Sequence, residues 1–140
     1  MPAATAAAEV EALVRGYYRA LERGEPLPPF YATDTEAGPL GPVVKIGTDA
    51  GEVFTGHAAV AAAVDRVTAT FARNRLESRA LLVRRAGDVA WFFDLVWWSG
   101  EAGGPPGAPF ASLTRWTGVC LRTPAGWKLL QLHVSEGVPG

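Results

Sequence analysis

The chain has 140 residues, 49% hydrophobic, 10% aromatic and 19% charged; folding at this length buries roughly 68–70% of the extended surface, which predicts one domain over residues 1–140 and excludes disorder. With 13 basic and 14 acidic residues the net charge is −1 and no run of either sign occurs, so nucleic acid finds no basic patch from which to release counterions. The single cysteine, Cys120, excludes an internal disulfide, and without clustered His or Cys it excludes a zinc site.

No metal and no cofactor are predicted, and the lone thiol is compatible with a reducing cytoplasm. The opening MPAATAAAEVEALV lacks a basic region ahead of an apolar run and carries Glu9 and Glu11, so no secretory signal is expected there. No stretch approaches the ~18 apolar residues of a membrane span. Arginine outnumbers lysine 11 to 2 and alanine is abundant, a composition typical of a GC-rich bacterial genome.

In chain order, Val10, Leu13, Val14, Tyr17 and Leu21 recur at helical spacing up to Gly24-Glu25-Pro26, predicting a helix with one buried face. Pro26, Pro28 and Pro29 with Phe30 and Tyr31 read as a short helical turn, and Gly38 to Pro42 as an irregular passage. A short strand is expected from Val43 to Thr48. Thr55 is a candidate cap for a second long helix whose apolar face is Val60, Val64, Val67 and Phe71. The period then changes to two, giving strands over Leu76 to Arg85, Val89 to Trp98, Ser112 to Thr123 and Trp127 to Ser135. Gly87-Asp88 and Pro124-Ala125-Gly126 are hairpin turns, and SGEAGGPPGAPF, from Ser99 to Phe110, reads as one long loop. Helices followed by a meander of antiparallel strands is an α+β pattern, with helices on one face of a curved sheet.

The order of elements, with GTDAGEVFTGHAAVAAAV (Gly47 to Val64) and TGVCLRTPAGWKLLQLHVS (Thr117 to Ser135), resembles the SnoaL-like branch of the nuclear transport factor two superfamily over nearly the whole chain. The resemblance implies a cone-shaped, cystatin-like fold with a strongly curved, mixed but mostly antiparallel sheet wrapped over helices. It also implies a pocket at the wide end and, commonly, a homodimer through the outer face of the sheet. It does not fix an activity, because isomerases, cyclases, dehydratases and association modules share the fold.

Set against the steroid delta-isomerases of that superfamily, Tyr17 falls where those enzymes place the tyrosine that hydrogen-bonds a developing enolate. Their second oxyanion donor, an aspartic acid, falls on Gly118, and their general base on Gly47, two residues before Asp49. SnoaL-type cyclases also use an acid near Gly118. Both chemistries therefore lose a residue, and the nearest replacement acids are Asp49 and Glu52. These two form a candidate acid/base pair, although Asp-Ala-Gly-Glu is also an ordinary turn.

An alignment with the superfamily's kinase association domains turns Gly118, Cys120, Lys128, Leu130, Leu132 and Val134 toward the pocket. It turns His133 away unless a bulge brings it back. In VAWFFDLVWW, alternation separates Trp91, Phe93, Leu95 and Trp97 from Phe92, Asp94, Val96 and Trp98. Neither set is polar, so both faces are expected to be covered, one by helices or ligand and the other by a partner chain. Asp94 is expected to pair with Arg79 or Arg115. His57 lies in the first turn of the second helix, where it is either exposed or held neutral by the helix dipole.

The predicted pocket is thus lined by Tyr17, Trp91, Phe93, Leu95, Trp97, Gly118, Cys120, Leu130 and Leu132, with Thr48, Asp49, Glu52 and Arg79 at its mouth. It would bind a small apolar or aromatic organic molecule. The alternatives are an isomerase or cyclase acting on a polyketide-like or steroid-like carbonyl compound, with Tyr17 as electrophile, and an association module without ligand, for which a cavity below about 300 Å³ would speak.

Overall fold

Thr5 opens helix α1 (Ala6–Arg23) by accepting the N–H of Ala8, and Gly24, at φ 68°, closes it with its own N–H on the Ala20 and Leu21 carbonyls. The buried stripe between them is Val10, Val14, Tyr17, Tyr18 and Leu21, at the predicted spacing. The computed structural model describes residues 5–103 and 107–137. After a 3₁₀ turn at Pro28–Phe30 comes a four-residue helix, α2 (Asp34–Ala37), just ahead of the passage from Gly38 to Pro42 read from the sequence as irregular. A reciprocal capping box between Thr33 and Glu36 holds it.

Strand β1 (Val44–Ile46) forms a tight hairpin with β2 (Val53–Thr55), so Thr55 ends a strand rather than capping the next helix. Gly56 takes the cap position of α3 (His57–Thr70), and the first-turn N–H of His57 is satisfied from a distance by the Asp34 carboxylate at 3.0 Å. The run expected as one strand from Leu76 to Arg85 is two, β3 (Phe71–Ser78) and β4 (Leu82–Ala86), paired with successive lengths of the same strand β5 (Val89–Ala102).

Strand β6 (Ala108–Thr123) pairs with β5 without interruption from Val89↔Leu121 to Ala102↔Ala108. The expected loop from Ser99 to Phe110 is therefore mostly the end of a long hairpin, and its centre, residues 104–106, lies outside the described residues. Gly100 and Pro109, which favoured the loop reading, are paired strand residues, opposite Phe110 and Glu101 respectively. Strand β7 (Gly126–Glu136) completes a seven-stranded sheet of order β2-β1-β7-β6-β5-β3, with β4 as the seventh strand on β5, β1 parallel to β7 and the remaining ladders antiparallel. Helices α1 and α3 pack on one side of this curled, open sheet, the α+β arrangement expected from the period change.

Two details set which side chains face the helices. On β5 the inward set is Ala90, Phe92, Asp94, Val96 and Trp98, the first four between 0% and 4% exposed, whereas Trp91 is 45% and Phe93 36% exposed. On β7 the register shifts opposite Val119 and Cys120, leaving Leu130 as an extra residue between Leu129 and Gln131. This bulge reverses the phase of the strand. Trp127 and Leu129 point inward before it and Leu132 and Val134 after it, while Lys128 turns out to donate to the Pro29 carbonyl at 2.7 Å.

Candidate functional site

Between α1, α3 and the concave side of the sheet lies a cavity of about 460 Å³, above the ~300 Å³ at which ligand pockets begin. Its deep end is built by Tyr17 and Leu21 of α1, Trp98 of β5, Trp116 of β6, and Leu132 and Val134 of β7. Phe71 at the start of β3 packs against Trp98 at a tilt of 50°, with ring centres 4.8 Å apart, and Tyr17 meets Trp116 edge-on at 6.0 Å. The outer end is polar. Lys45, Gly47, Thr48, Asp49 and Glu52 come from the β1–β2 hairpin, and Arg66 and Thr70 from α3, with the Arg66 guanidinium 5.6 Å from the centre of the Phe54 ring.

Behind the deep end, the hydroxyl of Tyr17 shares one hydrogen bond of 2.7 Å with that of Tyr31, a residue that does not line the cavity. Burial holds both phenols well above the ordinary tyrosine range; the bond between them draws Tyr17 down and pushes Tyr31 further up. Two hydroxyls have two protons and the shared bond uses one. With Tyr31 as donor, the Tyr17 O–H is the proton the shared bond leaves over.

At the outer end the Glu52 carboxylate accepts the Asp49 N–H at 2.9 Å and folds back across the hairpin over Gly47. A Cβ placed on Gly47 would lie 2.9 Å from the Glu52 Cδ and Oε2. The carboxylate therefore occupies the space that a side chain at residue 47 would take, and Gly47 is the position that the resemblance to steroid isomerases assigns to their general base. Gly47 and Glu52 lie at the two ends of the turn that joins β1 to β2. Asp49 and Glu52 also close an ordinary turn, with the Glu52 N–H on the Asp49 carbonyl, and both residues line the cavity.

Of the residues predicted to line the pocket, Tyr17, Thr48, Asp49, Glu52 and Leu132 are brought together around this cavity. Trp91, Phe93, Leu95 and Trp97 belong to the opposite face of β5, because both faces of that strand are apolar and alternation alone could not orient them. Arg79 is also outside, its guanidinium 5.4 Å from the centre of the Trp97 ring and 3.7 Å from Glu77. Leu130 is the bulge residue and does not line the cavity.

Gly118 and Cys120 lie on the inward side of β6 but not at the cavity. The Phe92 ring crosses Gly118 so closely that a Cβ there would come within 2.8 Å of both Phe92 Cζ and the Gln131 carbonyl. Cys120 is fully buried, its thiol pushed up to about 12 by burial, which makes it an apolar filler rather than a nucleophile. His133 sits between the cavity-lining Leu132 and Val134 and so points to the outer side of the sheet, paired with Ile46 and Thr117.

Asp94 does not pair with an arginine. Fully buried, it accepts the Tyr18 hydroxyl at 2.9 Å and the Ala80 N–H at 3.0 Å, where the break between β3 and β4 leaves that amide without a strand partner. Reading the sequence missed Lys45, Arg66, Phe71, Trp98 and Trp116 as cavity residues. Lys45 carried a usable signal, since it stands two residues after the apolar Val43 and so shares its buried side. Trp98 and Trp116 become legible only once β5 and β6 are oriented.

Among the described residues no group of three or more His, Cys, Asp or Glu side chains is arranged to hold a metal, and no helix is long and apolar enough to cross a membrane. A SnoaL-like domain model matches residues 10–139. Among solved structures, a protein of the nuclear transport factor two-like family from Streptomyces avermitilis, named provisionally as a dehydratase, is 24% identical, with 94% of this chain and 95% of that one covered and a TM-score of 0.83. A nuclear transport factor two-like superfamily protein from Salmonella enterica is 15% identical over 96% and 92%, TM-score 0.78. A cystatin-like protein of the same kind from Novosphingobium aromaticivorans is 18% identical over 94% and 82%, TM-score 0.69. A search of curated proteins finds no match. These structures share the fold of this chain, and with the family model spanning nearly its whole length the protein belongs to the SnoaL-like family.

Proposed function

We propose that the protein binds a small organic molecule with an apolar, largely aromatic body in the cavity between α1, α3 and the sheet. The observation that carries this reading is a cavity of about 460 Å³ with an aromatic deep end and a polar rim, the division of labour that small-molecule sites use for affinity and orientation. Calorimetric titration of a panel of bicyclic aromatic compounds tests it. At least one should bind, and Ala63→Phe, which fills the cavity from α3, should abolish binding while Trp91→Ala on the outer face leaves it intact. Equal loss from both variants, or no binding by any compound, would refute the reading.

A second reading, an isomerase or cyclase acting on a polyketide-like or steroid-like carbonyl compound, is favoured by the Glu52 carboxylate over Gly47. Glu52 would take a proton from the carbon next to the carbonyl, the bonding pair would pass to the carbonyl oxygen, and the Tyr17 O–H would hydrogen-bond that oxygen until a neighbouring carbon is reprotonated. Dehydration of a β-hydroxy carbonyl compound begins with the same abstraction, and a dehydratase is what the Streptomyces avermitilis relative is provisionally named. Deuterium exchange at C1 of 2-tetralone in D₂O measures the step. The protein should accelerate it, and Glu52→Gln should slow it by about 10²-fold; exchange at the buffer rate would dismiss catalysis of this type.

The same reading includes a homodimer through the outer face. Leu82, Trp91, Phe93 and Leu113, between 36% and 46% exposed, support it, because an apolar strip of that kind is rarely left to water. Sedimentation should give twice the chain mass of 14.8 kDa, falling to the monomer in Trp91→Arg. A wild-type monomer at micromolar concentration would eliminate this part.

A further inference from the structure

Lys45 is one of two lysines in the chain and only 7% exposed. Its strand places it in the cavity wall opposite Phe54 on β2 and beside Leu132 on β7. Burial lowers its pKa below the ordinary lysine value, and the negative charge of Glu52 opposes that shift. Yet Glu52 does not consume its donors. Among the described residues no carboxylate comes within 4.0 Å of the Lys45 ammonium, and none of the hydrogen bonds found involves it. No fully enclosed polar side-chain atom lacks a partner among them, so the ammonium keeps accessible surface, on a residue that lines the cavity.

The consequence for a ligand is direct. An apolar molecule that fills the cavity strips the ammonium of its water, which is costly for a charge without a direct partner. A ligand that presents an oxygen there replaces the lost solvent, and a negatively charged oxygen replaces it best. The other charged groups at this end are Glu52 and Asp49, which oppose an anion, and Arg66, which favours it. Asp49 and Arg66 lie at the exposed rim, Glu52 is half-buried with one oxygen on the Asp49 N–H, and Lys45 is the deepest of the four.

Resting on the small-molecule reading above, we propose that Lys45 is the ligand's counter-ion and that the ligand is an aromatic or alicyclic compound bearing an oxyanion, with a carboxylate as its simplest form. The ring system lies against Trp98, Trp116 and Leu132, and the oxyanion faces the Lys45 ammonium.

Calorimetric titration with the matched probes 2-naphthoate and 2-naphthamide, on wild type and on Lys45→Met, tests this at neutral pH. Wild type should bind the naphthoate roughly tenfold or more tightly than the amide, the step separating a charge-assisted hydrogen bond from a neutral one. In Lys45→Met the preference should vanish while the amide binds as before. Amide binding equal to or stronger than naphthoate binding in wild type, or a preference that survives in Lys45→Met, overturns the assignment of Lys45 and leaves the cavity as a neutral-ligand site. Failure of both probes in both proteins takes down the small-molecule reading, and this assignment with it.

Discussion

At the scale of single residues, Asp94 shows how a buried carboxylate can be structural without an ionic partner. It joins α1, through the Tyr18 hydroxyl, to the break in the sheet edge at Ala80. No spacing in the sequence announces either partner, since Tyr18 is 76 residues away and the amide is orphaned only because β3 and β4 separate. Asp94→Ala leaves a phenol and a backbone N–H unsatisfied in the core, and should cost about 3 kcal/mol in urea denaturation. A loss below about 1 kcal/mol would mean that water replaces the carboxylate. Glu52 is the opposite case: a residue noticed in the sequence for its charge, whose placement over Gly47 follows only from the β1–β2 hairpin.

At the scale of elements, the helices and strands were legible wherever apolar residues kept a strict period. Helix α1 and the β5–β6–β7 meander lie where periodicity placed them. What alternation could not supply was a phase. On β5 both residue sets are apolar, so the choice between Trp91 and Phe92 as inward residues rests on packing against α1 and on the ability of Tyr18 and Ala80 to satisfy Asp94. On β7 a single extra residue, Leu130, inverts the pattern without any sequence mark. The close crossing of Phe92 over Gly118 ties these two strands to β6, and any side chain at 118 must displace the ring or the Gln131 carbonyl. Gly118→Ala should therefore destabilise the protein by about 1–3 kcal/mol, read as a drop in the denaturation midpoint with an unchanged slope. A neutral or stabilised variant would show that the ring moves freely.

At the scale of the whole molecule, all three tyrosines of the chain are buried with raised pKa values. Unfolded chain releases these protons near pH 10 while native protein keeps them, so above about pH 10 the native state binds more protons and stability falls as pH rises. Cys120 acts with the same sign from about pH 8.5 upward, and Lys45, its value lowered, opposes it over the interval just below about pH 10.4. The alkaline limit should thus be steep: tyrosinate absorbance at 295 nm should appear together with loss of near-ultraviolet circular dichroism. Tyrosinate forming at pH 10 with the dichroism intact would contradict the buried phenols.

The same scale holds the central claim, that the curled sheet and its two long helices enclose a cavity for a small organic molecule. The measurement that reaches it most directly is native mass spectrometry of protein purified without added ligand, followed by denaturation and analysis of whatever is released. A stoichiometric adduct of a few hundred daltons is expected or, for protein stripped empty, uptake of 2-naphthoate with one molecule per chain. An empty cavity that takes up neither this acid nor its amide at millimolar concentration would contradict it.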